Sequence, residues 1–111
     1  MSRVRPKGRR RYRRRTVRVA VVYESELGSA RATATTLGAG GMFIATEEPL
    51  PPRTKLEVEF CLPEQHDILY RIPARVVWSN APPQESGALG MGISFEDAPA
   101  CASLAAELER D

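Results

Sequence analysis

From Thr16 onward, apolar and polar residues alternate in short runs, and the alternation predicts strands. Val17, Val19, Val21 and Tyr23 fall on one face, with Arg18, Ala20 and Val22 between them. A turn around Leu27-Gly28-Ser29 leads to a weaker strand over Ala30–Thr36. The only glycine cluster, Leu37-Gly38-Ala39-Gly40-Gly41, predicts a tight turn, because glycine permits positive φ and close backbone approach. Met42–Thr46 leaves that turn as a short apolar strand, and Pro49, Pro51 and Pro52 mark a loop. Leu56, Val58, Phe60 and Leu62 then alternate with Lys55, Glu57, Glu59 and Cys61. A loop over Pro63–Asp67 is expected to return the chain into a strand over Ile68–Ser79, with Ile72, Ala74, Val76 and Trp78 on one face. The polar stretch Asn80–Gly87 predicts a second loop, followed by a strand over Ala88–Phe95. There Gly90, Gly92 and Ser94 share a face, which suggests close approach by a neighbouring strand or a ligand. Finally, Asp97-Ala98-Pro99 has the form of a helix start, and Cys101, Leu104, Ala105 and Leu108 recur at helical spacing. Six short strands with turn signals between them predict an antiparallel β-barrel carrying a C-terminal α-helix, an all-β fold.

Charge divides the chain in two. Residues 1–18 hold nine arginines and one lysine without an acid, +10, while the other 93 residues hold six basic and 14 acidic side chains, −8. Residues 1–15 contain almost nothing that could join a core and form an arginine-rich arm, expected to be flexible; residues 16–111 form the barrel and helix. Such asymmetry points to an anionic partner. No apolar run approaches the roughly 18 residues of a membrane helix, so membrane insertion is not expected. The basic N-terminus has no secretory apolar stretch, which makes a cytoplasmic location the expectation. Cys61 and Cys101 lack metal-type spacing and are expected as free thiols.

Catalysis finds little support. The single histidine, His66, falls in the expected loop Pro63–Asp67, and no serine, threonine or cysteine has a base partner in a recognisable motif. Neither a metal-binding run nor a phosphate-cradling P-loop is present, so the chain is read as a binder with no catalytic residue, metal or cofactor. Two segments could bind. The arm offers guanidinium groups, planar donor forks that suit phosphates and the O6/N7 edge of guanine. The glycine turn offers a backbone surface open to a flat ligand.

Arg10-Arg11-Tyr12-Arg13-Arg14 before a Val-rich strand, followed by Thr36-Leu37-Gly38-Ala39-Gly40-Gly41-Met42-Phe43-Ile44, resembles the PilZ domain. Pro51-Pro52-Arg53-Thr54-Lys55-Leu56, Ala74-Arg75-Val76-Val77-Trp78 and Gly90-Met91-Gly92-Ile93-Ser94-Phe95 are also similar to that family. The resemblance implies a six-stranded antiparallel barrel with a C-terminal helix and, as in many members, binding of the bacterial second messenger cyclic di-GMP. The family site joins an R-x-x-x-R motif in the arm to a [D/N]-x-S-x-x-G motif on the barrel. The first falls on Arg10 and Arg14, with Arg9/Arg13 and Arg11/Arg15 as alternative registers. The second falls on Thr36, Gly38 and Gly41, where Thr36 replaces the acid or amide, Gly38 replaces the serine and only the last glycine is kept.

Each hydrogen bond lost through those replacements costs about 0.5–1.5 kcal/mol, and two together weaken affinity by roughly ten- to a hundredfold. The expected function is therefore a non-enzymatic signalling protein that binds cyclic di-GMP between arm and glycine turn, orders its arm on binding, and signals to a downstream protein partner. The alternative is a divergent PilZ-type adaptor that has lost the nucleotide. A small barrel that binds nucleic acid through its arm ranks third, because the barrel body is acidic and only Tyr12 interrupts the arginine run as a stacking side chain.

Overall fold

The computed structural model describes residues 14–82 and 87–109. Six strands, β1 (Arg14–Ser25), β2 (Gly28–Gly38), β3 (Gly41–Ala45), β4 (Lys55–Leu62), β5 (Gln65–Asn80) and β6 (Gly90–Phe95), precede one helix, α1 (Ala98–Leu108). Every strand pairing is antiparallel, and the sheet closes on itself in the order β1-β2-β3-β6-β5-β4, with β4 returning to β1. Closure removes the unpaired edges that an open sheet would expose.

The expected alternation sets the core. Val19, Val21 and Tyr23 of β1, Met42 and Ile44 of β3, and Leu56, Val58, Phe60 and Leu62 of β4 point inward with Ile72, Ala74 and Val76 of β5. Met91, Ile93 and Phe95 of β6 complete the lining, and among the described residues no polar side chain other than the Tyr23 and Tyr70 phenols is buried with them. Helix α1 begins where Asp97 Oδ1 accepts the Ala100 N–H at 3.0 Å, with Pro99 in its first turn. Cys101 and Leu104 are buried against the core, with Ala105 and Leu108 packed beside them. Cys61 and Cys101 are both free thiols. Among the described residues no helix is long and apolar enough to cross a membrane.

Three local expectations change. The Pro63–Asp67 loop is a turn of Pro63 and Glu64 only, so His66 and Asp67 belong to β5. Alternation fails there because this end of β5 is wet, leaving Ile68 and Leu69 exposed. Alternation puts Trp78 on the same face as the buried Val76, yet a bulge between them turns it out: Val76 lies opposite Ile93, and Trp78 lies opposite Gly92. The glycine cluster turns at Ala39-Gly40, with Leu37 and Gly38 still in β2, and among the described residues positive φ falls at Gly28, Arg53, Gly87 and Gly90 instead.

Candidate functional site

Strand pairing gathers the barrel half of the expected site. On β1 and β2, Thr16 lies opposite Thr36 and Arg14 opposite Gly38; on β2 and β3, Gly38 lies opposite Gly41. Arg14, Gly38 and Gly41 therefore form one cross-strand row, with Thr36 two residues before Gly38. Inward-facing Leu37 and Met42 set the opposite parity, so the row points away from the core; Arg14 is exposed, while Gly38 and Gly41 are themselves buried by their neighbours. Arg14 and Arg15, neighbours in sequence, diverge. Arg14 is exposed at the head of the row, whereas Arg15 Nη2 donates to the Leu108 carbonyl at the end of α1. Beneath Arg15 lies a cavity of ≈ 200 Å³ lined by Val17, Leu37, Leu62, Gln65 and Glu107, where Gln65 Nε2 donates to Glu107 Oε1 at 2.7 Å. Arg9, Arg10, Arg11 and Arg13 lie outside the described residues.

The retained glycine has a steric reason. A Cβ on Gly41 would lie 2.1 Å from the Ile93 carbonyl oxygen of β6, so any side chain would force β3 and β6 apart. Thr36 is half-buried, and its Oγ1 is sealed from solvent without a hydrogen-bond partner.

Sequence reading missed what flanks this row. Beyond Gly41 the row continues to Ser94 on β6, Arg75 on β5 and Lys55 on β4. A parallel row runs from Thr36 through Phe43 and Gly92 to Trp78. Phe43 and Trp78 stack outside the barrel with ring centroids 5.3 Å apart. A Cβ on Gly92 would meet Trp78 Nε1 at 2.4 Å, and one on Gly90 would meet the Ile44 carbonyl oxygen at 2.2 Å and Phe43 Cζ at 2.6 Å. The close approach expected over these side-chain-free positions is thus made by the protein itself, by the Trp78 ring at Gly92 and by the neighbouring strand and the Phe43 ring at Gly90. Their glycines were the signal, but the bulge that brings Trp78 over them leaves none in sequence.

A family model for the PilZ domain matches residues 8–110. The chain belongs to the PilZ domain family. Among solved structures, the Bacillus subtilis inhibitor of motility MotI/DgrA superposes with a TM-score of 0.71 at 21% identity over 94% of this chain. The chain spans 53% of the length of that protein. The PilZ domain of Escherichia coli YcgR, solved with c-di-GMP, gives a TM-score of 0.66 at 16% identity, covering 93% of each chain. The PilZ domain of CeSA from a cellulose-synthesizing bacterium gives 0.61 at 17% identity over 88% of this chain and 99% of that one. At these identities the likeness establishes the fold. A search of curated proteins by sequence finds no significant match.

Electrostatics elsewhere are ordinary for a small barrel. Burial raises the pKa of the Tyr23 and Tyr70 phenols, and burial raises that of the Cys101 thiol. Among the described residues no group of three or more histidine, cysteine, aspartate or glutamate side chains could hold a metal ion.

Proposed function

We propose that this PilZ domain is a signalling receptor for cyclic di-GMP, held between the arginine arm and the outward row of β1, β2 and β3. One observation carries the reading: Arg14 stands opposite Gly38, which stands opposite Gly41, so a cation borders a floor without side chains. A flat, dianionic dinucleotide suits that combination. Guanidinium forks can take a phosphate or the O6/N7 edge of guanine, and positions 38 and 41 put no side chain in the ligand's way. Arg10 is assigned as the partner of Arg14, four residues earlier, and Arg9, Arg11 and Arg13 add charge to the same arm. Folding the arm over the nucleotide costs ordering entropy and creates a new surface for a downstream protein partner, which makes arm ordering the switch.

Calorimetric titration with cyclic di-GMP at moderate salt tests this directly. The expected result is saturable heat that Arg14→Ala abolishes. Absence of heat up to high micromolar nucleotide refutes the reading, and so does unchanged binding by Arg14→Ala.

A second reading, an adaptor that works by protein contact without nucleotide, is favoured by Thr36 and Gly38. The hydroxyl of Thr36 is sealed from solvent, and position 38 has no side chain to replace the motif's serine. It predicts that wild type does not bind, while the double variant Thr36→Asp/Gly38→Ser does.

A further inference from the structure

The outward row does not stop at the family motif. It passes from Gly41 to Ser94, then to Arg75 and Lys55. Followed round the barrel, it returns to β1 beside Ser25, at the far end of that strand from Arg14. The strands are therefore steeply tilted, and the row runs nearly straight along the surface rather than encircling it. Three strand spacings of about 4.8 Å put Arg75 roughly 14 Å from Gly38, with Gly41 and Ser94 between. One cationic edge is Arg14; the other is Arg75 with Lys55.

That second edge is costly as it stands. Lys55 and Arg75 sit directly opposite each other on neighbouring strands, a placement that destabilises like charges. Arg75 Nε lies 2.9 Å from Glu96 Oε2 but is sealed from solvent and makes no hydrogen bond among the described residues, so this partly exposed ion pair is worth little to stability. No carboxylate among the described residues lies within ion-pair distance of Lys55. Two cations thus share one partial counter-charge beside a floor of glycine and serine.

We infer that Arg75 and Lys55, with Ser94 between them and the glycine floor, form a second anion-binding edge that takes the phosphate of the dinucleotide remote from Arg14. This rests on the cyclic di-GMP reading above and adds to it. The barrel then supplies cations on β4 and β5 where Thr36 and Gly38 withhold the motif's hydrogen bonds. Glu96 is recorded against Nε alone, so Arg75 can turn its guanidinium fork to a phosphate, which it can hold bidentately.

The test titrates cyclic di-GMP into the full-length wild type and into Arg75→Gln, Lys55→Gln and Glu96→Gln, with a melting curve for each. Arg75→Gln is expected to weaken binding about tenfold, the loss of one charge-assisted contact, and Lys55→Gln about threefold. Glu96→Gln, which frees Arg75, is expected to bind as tightly as wild type or more tightly. Equal weakening by Arg75→Gln and Glu96→Gln would show that only their ion pair matters and would overturn the inference. Wild-type affinity in Arg75→Gln, with binding still abolished by Arg14→Ala, overturns the second edge and leaves the receptor reading standing. No binding by wild type overturns both. Should Arg75→Gln fail to fold, the exposed Lys55→Gln decides alone: unchanged affinity there ends the proposal.

Discussion

Gly41→Ala separates the two reasons a glycine can be kept at this position, ligand approach and backbone packing. The added methyl would sit 2.1 Å from the Ile93 carbonyl oxygen, 3.2 Å from its carbon and 3.3 Å from the Ser94 Cα. All three are backbone atoms of β6, so no side-chain rotation relieves the overlap. β3 and β6 must part by about 1 Å to restore an ordinary contact of some 3.4 Å, in a core packed too densely to yield cheaply. Overpacking of this kind costs about 1–3 kcal/mol. The neighbouring bond from the Phe95 N–H to the Gly40 carbonyl, 2.9 Å long, is strained by the same movement, and losing it adds about 1 kcal/mol. A total of about 2–4 kcal/mol, at 4–8 °C per kcal/mol for a domain of this size, lowers Tm by roughly 8–30 °C. Thermal unfolding followed by circular dichroism without ligand measures it. Gly92→Ala provides the contrast, because its methyl meets the half-exposed Trp78 ring, which can swing away; about 1 kcal/mol is expected. A Gly41→Ala protein melting within 2 °C of wild type, or below Gly92→Ala by no margin, would refute the steric account.

The remaining predictions concern groups whose surroundings are equally specific. Thr36→Val removes a sealed hydroxyl without a partner and is expected to stabilise the protein by about 1 kcal/mol, read as a higher urea midpoint. Arg15→Gln loses a charged donor at the C-terminal end of α1, and hydrogen exchange in the last turn of that helix should quicken about fivefold or more. Burial holds the Tyr23, Tyr70 and Cys101 pKa values above their ordinary 10.0, 10.0 and 9.0. Between those ordinary values and the raised folded ones, the native state keeps protons that the unfolded chain releases. Their contribution to stability is therefore complete below about pH 9 and falls as pH rises through the folded values. Chemical unfolding at about pH 8 and pH 11 should show that fall, and Tyr23→Phe should make it smaller.

Periodicity alone determined the barrel and most of its lining. Val19, Val21 and Tyr23, or Leu56 through Leu62, can satisfy a period of two in only one way, with their apolar face inward. The Asp97 cap and Pro99 likewise fix where α1 begins, since both act within one turn of chain. The order of charged and glycine-rich segments further exposed the family resemblance. Tertiary structure decided which distant residues share the outer surface. Arg14 meets Gly38 through the register of β1 on β2, and Arg75 joins the same row through β6, pairings set by strand closure across gaps of 24 and 19 residues (38 − 14 and 94 − 75). A bulge after Val76 then reversed Trp78 from core to exterior and laid it over Gly92. Alternation records which side of a strand is dry. It carries no record of an extra residue in the ladder, nor of which strand lies alongside, because both are settled by contacts between segments far apart in the chain.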